Sequence, residues 1–336
     1  MELRKVQKTG YATYIISLPK KWVVQQGIKP QSNVGIISLP DGNLLLAPKP
    51  GFSKEKRKKL LVFDNNENYE HLLRKFIGTY LAGYNIIELR TEERMKPELK
   101  EAIRKIAASV IGPQIIDEDS KSVTLQDLVE ATELPLDKGV RRMFAITKEM
   151  HQDAIIALKE RNIKLARELI IRDSEVNRLY WLLAKQYSLL LINPSFGDKL
   201  GMSSYQAFPY LLIGRILERV GDHSVKIAEC TELLGERKLP SLLLTEILEL
   251  SKCAINILEL ATTALYRKDY ESCNKAIDLI KELSEKKDLL MRKILTMESK
   301  TAVPLAWTVE SIERTASYGS DIAELAINYI LGTEYK

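Results

Sequence analysis

Two similar stretches, one past the middle of the chain and one near its end, constrain the fold more than any other feature. Residues 217–229 read LERVGDHSVKIAE, and residues 312–324 read IERTASYGSDIAE. Both start with an apolar residue and a Glu-Arg pair, and both end in Ile-Ala-Glu. Each lies in a long helical pattern that follows two other long helical patterns. The sequence therefore indicates a duplicated three-helix unit.

Apolar residues recur at helical spacing through the second half of the chain, as at Leu250, Ala254 and Leu258. The pattern predicts six helices: 136–161, 163–191, 206–236, 241–267, 270–297 and 302–330. Long helices joined by short turns pack as antiparallel bundles. We predict a mainly α fold, in which residues 131–238 form the first three-helix repeat and residues 239–336 form the second.

Residues 1–50 have a different character, because residues 6–18 are rich in β-branched and aromatic side chains with a turn signal at Gly10. Pro19 can open a short helix that Gly27 stops. Asp41-Gly42 is a hairpin signal between two further strands. So small a β-rich unit cannot bury a good core alone. We expect it to pair with a second copy or to pack on the rest of the chain.

Residues 51–130 alternate between strand and helix patterns, which predicts a small α/β segment with a truncated ferredoxin-like arrangement. The segment has no Gly-rich phosphate loop, no nucleophile elbow and no metal-ligand cluster. Its expected role is that of a connecting or oligomerisation domain.

Charge and hydropathy limit the location of the protein. The 336 residues include 50 Lys and Arg against 45 Asp and Glu, a mild formal charge of +5. The start, MELRKVQKTG, has charges where a signal peptide needs an apolar core. No apolar run approaches the roughly 20 residues that span a bilayer. The three cysteines are well separated, which fits a reducing compartment. We expect a cytoplasmic protein that is not inserted in a membrane.

A local excess of positive charge near the N-terminus favours contact with DNA phosphates. The candidate DNA-binding residues are Arg4, Lys5, Lys8, Lys20 and Lys21. The alternative is a solvated basic face on a module that only forms dimers.

Paired carboxylates on the first of the two similar stretches are candidates for metal binding. Glu218 and Asp222 stand four residues apart and share one face of their helix, whereas His223 points about a quarter-turn away. Asp173 and Asn177 have the same spacing on the preceding helix and could face them. Such facing acids suit a hard or borderline metal ion. The alternative is ordinary ion pairing of Glu218 with Arg215 or Arg219, and of Asp222 with Lys226.

The N-terminal residues resemble the SpoVT/AbrB swapped-hairpin domain. The resemblance rests on Lys8-Thr9-Gly10, on the run from Ile15 to Trp22 with its Ser-Leu-Pro-Lys, on Gly27-Ile28-Lys29-Pro30 and on Asp41-Gly42. Gln31-Ser32 stands where the family usually has Gly-Asp. The resemblance implies an interlocked homodimer that binds DNA through basic residues of the first strand and the helix start.

The duplicated stretches resemble the PhoU family of phosphate-uptake regulators, whose repeats carry a Glu/Asp-x-x-x-Asp motif associated in some members with bound metal ions. Glu218 and Asp222 match the first motif, and Glu313 matches the start of the second. Ser317 replaces the second aspartate, and Asp321, one turn further on, could compensate. The resemblance implies a divalent or trivalent metal ion (iron, zinc or magnesium) at Glu218 and Asp222 and at Glu313 and Asp321.

Together these features predict a non-enzymatic regulator of phosphate uptake, in which the N-terminal domain binds DNA as a dimer. The helical repeats would sense or relay phosphate status through a phosphate transporter ATPase or a signalling partner, as the PhoU resemblance implies. One alternative is a dimeric adaptor that docks on the transporter or its sensor without binding DNA. A second is a metal-dependent hydrolase using Glu218 and Asp222, which lacks any nucleophile or base constellation.

Overall fold

The computed structural model describes residues 2–38, 42–48, 56–193 and 196–333. The chain divides into two compact units, Met1–Glu55 and Lys56–Lys336.

The N-terminal unit consists of two β-hairpins with a short helix between them in sequence. Its elements are β1 (Gln7–Thr9), β2 (Thr13–Ile15), α1 (Lys20–Gln25), β3 (Gly35–Ser38) and β4 (Leu44–Ala47). The turn between β1 and β2 contains Gly10 at a φ of 62°. The β3–β4 hairpin pairs Gly35 with Ala47 and Ser38 with Leu44. These elements match the predicted order, although Asp41 of the predicted turn lies outside the described residues.

The α/β segment that opens the second unit has one four-stranded sheet. Its elements are β5 (Lys58–Phe63), α2 (Tyr69–Leu81), β6 (Ile86–Thr91), α3 (Pro97–Ala108), β7 (Pro113–Glu118) and β8 (Ser122–Asp127). The strand order is β5-β6-β8-β7, with β5 parallel to β6 and the other pairs antiparallel. Side chains of α2, α3 and one sheet face form a single apolar core, which includes Phe76, Ile103 and Leu125.

The predicted ferredoxin-like arrangement of this segment is wrong. In that fold the two parallel strands of the βαβ unit are separated by another strand. Here β5 and β6 are direct neighbours, since Lys58 to Phe63 pair one for one with Ile86 to Thr91. Strand β8 therefore joins the sheet on the far side of β6.

The described part of the second unit continues with six long helices, which the hydrophobic periodicity predicted, and one short helix, which it did not. They are α4 (Leu136–Glu160), α5 (Ile163–Ile192), α6 (Phe196–Leu200), α7 (Ser204–Leu234), α8 (Ser241–Arg267), α9 (Tyr270–Ile294) and α10 (Ser299–Thr333). The six long helices share one continuous apolar core. Among the helices that the structure describes, none is long and apolar enough to span a membrane.

The duplication is visible in how each repeat turns from its first helix to its second. Helix α4 ends at Arg161 (φ 57°) and helix α8 ends at Lys268 (φ 53°), both in the left-handed region. The next residue caps the following helix in each case. The Asn162 side chain accepts a hydrogen bond from the backbone N–H of Leu165, and the Asp269 side chain accepts one from that of Ser272.

A buried histidine joins the two repeats. His151 of α4 is fully buried, with Nε2 2.9 Å from the Ser251 hydroxyl of α8 and Nδ1 3.3 Å from the Thr315 hydroxyl of α10. The Thr315 hydroxyl donates to the Ser311 carbonyl, so it can only accept from Nδ1–H, and Nε2 must accept from Ser251. Burial, together with the nearby His223, lowers the pKa of His151 to about 4, and the ring stays neutral.

A buried ion pair connects α5 to the α/β sheet. The Lys185 ammonium of α5 pairs with Asp127 at the end of β8, and both side chains are more than nine-tenths buried. The ammonium also lies 4.1 Å from the centre of the Tyr80 ring of α2. Gly112 has a φ of 110°, and a Cβ there would stand 2.0 Å from Asp127 Oδ1. A side chain at position 112 would therefore displace the carboxylate.

Removal of the lysine should be costly. In Lys185→Met the Asp127 carboxylate stays buried without a counter-charge, and we expect the free energy of unfolding to fall by about 3–5 kcal/mol. Urea unfolding followed by circular dichroism measures this loss. Lys286→Met is the matched control, since Lys286 pairs with Glu282 on the exposed surface of α9 and should change stability little. Equal losses in the two variants would contradict the role of the buried pair.

Candidate functional site

The predicted facing carboxylates come together between α5 and α7. Helix α5 carries Asp173 and Asn177, and helix α7 carries Glu218 and Asp222. Gly221 lets the two helices approach closely here, because a Cβ at that position would stand 3.0 Å from Asp173 Oδ1. Glu218 is 8% exposed and Asp173 is half-buried, whereas Asp222 lies at the surface.

Each of the two more buried carboxylates has one oxygen bonded and one oxygen free. Asn177 Nδ2 donates to Asp173 Oδ2 at 2.7 Å, and Arg215 donates to Glu218 Oε1 at 2.8 Å. Asp173 Oδ1 and Glu218 Oε2 are buried and accept no hydrogen bond from the described residues. A buried oxygen without a partner costs about 1–3 kcal/mol, so these two atoms are poised to accept a donor or a cation.

Burial, and then repulsion between the acids, raises the proton affinity of the cluster. Burial and the charge of Asp222 raise the pKa of Asp173 to about 6, against the hydrogen bond from Asn177. Burial and then Asp222 also raise the pKa of Glu218, while the Arg215 guanidinium opposes the rise. The three acids therefore act on one another, as closely spaced carboxylates do.

The alternative ion pairs form only in part. Glu218 pairs with Arg215, as one alternative supposed. Lys226 does not pair with Asp222. Its ammonium lies 3.1 Å from Glu229 and 4.7 Å from the centre of the Trp307 ring.

The second repeat surrounds its motif differently. The Ser317 hydroxyl donates to Glu313 Oε1 at 3.3 Å. The charge of Lys287 on α9 interacts with that of Glu313. Partial burial and the charge of Glu324 raise the pKa of Asp321, and the positive charges of Arg219 and Arg314 oppose the rise. Among the described residues of this repeat, no three His, Cys, Asp or Glu side chains are grouped to hold a metal ion.

None of the three histidines contacts Asp173, Glu218 or Asp222 through a hydrogen bond or ion pair that the structure describes. His223 is half-buried, and the centre of its ring lies 5.7 Å from the centre of the Tyr318 ring on α10. Its Nδ1 has no hydrogen-bond partner among the described residues. His71 lies on the surface, 3.6 Å from Glu67. His151 belongs to the contact between the repeats.

The donor set defines which metal ions the first cluster fits. Its free atoms are carboxylate oxygens, which suit a hard cation such as Mg²⁺ or Mn²⁺. Within residues 2–38, 42–48, 56–193 and 196–333, no three His, Cys, Asp or Glu side chains are grouped to hold a metal ion together. The acids between α5 and α7 therefore do not form a tetrahedral zinc cage.

The five candidate DNA-binding residues lie in the N-terminal unit. Arg4 and Lys5 precede β1, Lys8 lies in β1, and Lys20 and Lys21 form the first turn of α1. All five are exposed. Arg4 pairs with Glu2, and the structure shows no ion pair for the four lysines within this described part of the chain.

The contacts of two residues near the carboxylate motifs, Gly221 and Lys287, could not be predicted from the sequence. Gly221 reads as an ordinary helical glycine until α5 is seen against it. Lys287 lies on another helix from Glu313, and no local spacing connects the two residues. The contacts of both depend on how the helices are rotated about their axes.

Comparison with known proteins agrees with the duplicated three-helix architecture. The PhoU domain matches residues 140–231 and 247–326, one match for each repeat and more than half of the chain in total. The chain therefore belongs to the PhoU family. No curated protein matches the sequence.

Two solved structures have a similar fold. One is the phosphate transport system regulatory protein PhoU from Streptococcus pneumoniae, with a TM-score of 0.51 and 17% identity over 59% of this chain and 94% of that chain. The other is PhoU from Pseudomonas aeruginosa, with a TM-score of 0.52 and 20% identity over 59% of this chain and 96% of that chain. At these identities the likeness establishes the fold of the helical repeats.

The raised pKa of Asp173 predicts a pH-dependent stability. The carboxyl is neutral below its ordinary pKa of 3.8, and its charge becomes a cost as the pH rises through about 6. In metal-free protein, the free energy of unfolding of Asp173→Asn should therefore equal that of the wild type near pH 4. At pH 8 it should be larger than that of the wild type by about 1–2 kcal/mol.

Urea unfolding at the two pH values, with a chelator present, measures this difference. Glu168→Gln, on the exposed side of the same helix, is the control and should change little at either pH. If Asp173→Asn is less stable than the wild type at pH 8, the charged Asp173 carboxylate stabilises the fold, and the prediction is wrong.

Proposed function

We propose that the protein regulates phosphate uptake, with the helical repeats as the part that meets a phosphate transporter ATPase or a signalling partner. The observation that carries the proposal is the match of both repeats to the PhoU domain. The similar Streptococcus pneumoniae protein is named as a regulatory protein of the phosphate transport system. The absence of a nucleophile and base constellation in the sequence favours a non-enzymatic role. We place the protein in the cytoplasm, where a transporter ATPase could be met.

Deletion of the gene for this protein from its own host tests the proposal. We expect uptake of radioactive phosphate to lose its dependence on external phosphate, because the regulator that relays phosphate status is gone. The wild-type gene should restore that dependence. Unchanged regulation of uptake in the deletion strain would contradict the proposed function.

The N-terminal unit is proposed to form a homodimer, because it has no core of its own. None of its residues within 2–38 and 42–48 is buried. Nine of its large apolar side chains are instead 47–102% exposed: Leu3, Val6, Tyr11, Tyr14, Ile15, Ile16, Val24, Ile36 and Leu44. Exposed apolar surface of this extent needs a covering partner. A second copy of the same unit supplies a matching surface by symmetry.

Light scattering of the full chain tests the dimer. The wild type should have the mass of two chains, and Ile36→Asp should shift the population towards one chain, since it places a charge in the proposed interface. Leu289→Asp is the control, because Leu289 is 61% exposed on α9 in the second unit. A wild type that remains a single chain at micromolar concentration would refute the dimer.

The same unit is proposed to bind DNA through Arg4, Lys5, Lys8, Lys20 and Lys21. The support is their exposure and their concentration in a short segment with few acids. Each phosphate that they neutralise would release a counterion, which makes affinity fall steeply with salt. A dimer would present two such segments to one duplex.

Charge reversal separates DNA binding from the adaptor alternative. The double variant Lys20→Glu and Lys21→Glu should lower DNA affinity by at least about tenfold at low salt and flatten the salt dependence, with dimers intact. The control, Lys159→Glu and Lys164→Glu, makes the same charge change on exposed positions of the helical unit. If the wild type binds no DNA at low salt, the proposal of DNA binding is wrong. The alternative, a dimeric adaptor that docks on the transporter or its sensor, is then favoured.

A further inference from the structure

The two edges of the four-stranded sheet differ in how well they are protected against further strand pairing. Strand β7, at one edge, begins with Pro113, has a register shift between Ile115 and Asp117, and ends in acidic residues. Proline, bulges and charges are the features by which edge strands avoid pairing with other chains. Strand β5, at the other edge, is apolar from Leu60 to Phe63 and pairs with β6 without a register shift. The β5 edge is therefore open to a further strand.

We propose that the open edge of β5 is an interaction surface for β5 of a second copy of this chain, with the two strands antiparallel. The two four-stranded sheets would then form one sheet of eight strands. The surface lies in the second unit and is a contact additional to the homodimer contact proposed for the N-terminal unit.

The backbone of β5 presents hydrogen-bonding groups at this edge. The Arg57 carbonyl accepts a hydrogen bond from the N–H of Ile86, so it faces β6. Alternate residues of a strand bond to opposite sides, so the N–H and C=O groups of Lys58, Leu60 and Val62 face away from β6. Among the strands that the structure describes, none pairs with β5 on that side. An added strand would satisfy these groups.

The exposed side chains in the middle of β5 are apolar. Leu61 and Phe63 pack in the core of the α/β segment. Leu60 and Val62 lie on the opposite face of the sheet and are 44% and 55% exposed. Opposed residues on neighbouring strands have Cβ atoms about 4.5–5.5 Å apart. A partner strand with apolar residues at these positions would therefore cover part of both side chains.

The charges of β5 favour a second copy, in antiparallel orientation, as that partner. The strand begins with Lys58, and Asp64 follows its last residue. Antiparallel pairing centred on Leu61 sets Lys58 of one copy opposite Asp64 of the other. The same register sets Leu60 opposite Val62, and twofold symmetry repeats both pairs. Parallel pairing would instead set the lysines of the two copies side by side, which is unfavourable.

Disulfide cross-linking of the full chain tests this contact. Leu60→Cys and Val62→Cys chains with different tags are co-expressed, purified together and mildly oxidised. Opposed residues of an antiparallel pair have Cα atoms about 5.5 Å apart, a distance that suits a disulfide. We expect the mixed cross-link at a yield at least about fivefold above that of either variant alone, because residues with the same number are two positions out of register.

Two controls accompany the cross-linking. The wild type, with its three native cysteines, gives the background. Ile116→Cys in place of Leu60→Cys is the matched control, since Ile116 is 49% exposed on the other edge strand, β7, and should cross-link only at background yield. A mixed yield of Leu60→Cys and Val62→Cys at background would mean that β5 does not meet a second copy, and would overturn the proposal. Equal cross-linking through Ile116→Cys would overturn it too.

A charge change tests the register. Asp64→Lys, introduced into both tagged chains, sets a lysine opposite Lys58 and should lower the mixed cross-linking by at least about threefold. Asp117→Lys makes the same charge change at an exposed position of β7 and should leave the yield unchanged. Circular dichroism verifies that each variant is folded. An unchanged yield in folded Asp64→Lys would contradict the antiparallel pairing centred on Leu61.

Discussion

The packing of α7 against α10 is the contact on which the helical unit depends. These two helices end the two repeats, and rings and charged groups meet along their length. Tyr210 contacts Tyr329 with ring centres 5.5 Å apart, and the Lys226 ammonium covers Trp307. Since each repeat is only three helices wide, neither could bury the inner face of its last helix without the other.

The buried His151 adds specificity to this packing. Its two ring nitrogens each need one particular hydroxyl, from Ser251 of α8 and from Thr315 of α10. An apolar side chain would tolerate a rotation or a slide between the repeats, whereas a buried imidazole that lost either partner would be destabilising. The polar contact thus fixes the register of two repeats that apolar packing alone holds together.

The sequence predicted the fold well because its signals are local. Helical periodicity gave the long helices, and the alternation of strand and helix patterns gave the elements of the α/β segment. The path of β8 was not predicted, because strand order depends on pairing between distant residues. For the same reason, spacing alone placed Glu218 and Asp222 on one helix but could not reveal that the charge of Arg219 acts on Asp321. Such cross-helix contacts require the crossing geometry.

The position of Asp173 and Lys185 on one helix has a mechanical consequence. The two residues are separated by about 18 Å along α5, a stretch of unbroken helix. At one end the helix carries the unsatisfied carboxylate, and at the other it is fixed to the sheet by a buried ion pair that would cost several kcal/mol to break. Because an unbroken helix is stiff, a rigid-body shift of α5 at Asp173 would also shift Lys185 and, through the buried pair, the Asp127 end of β8.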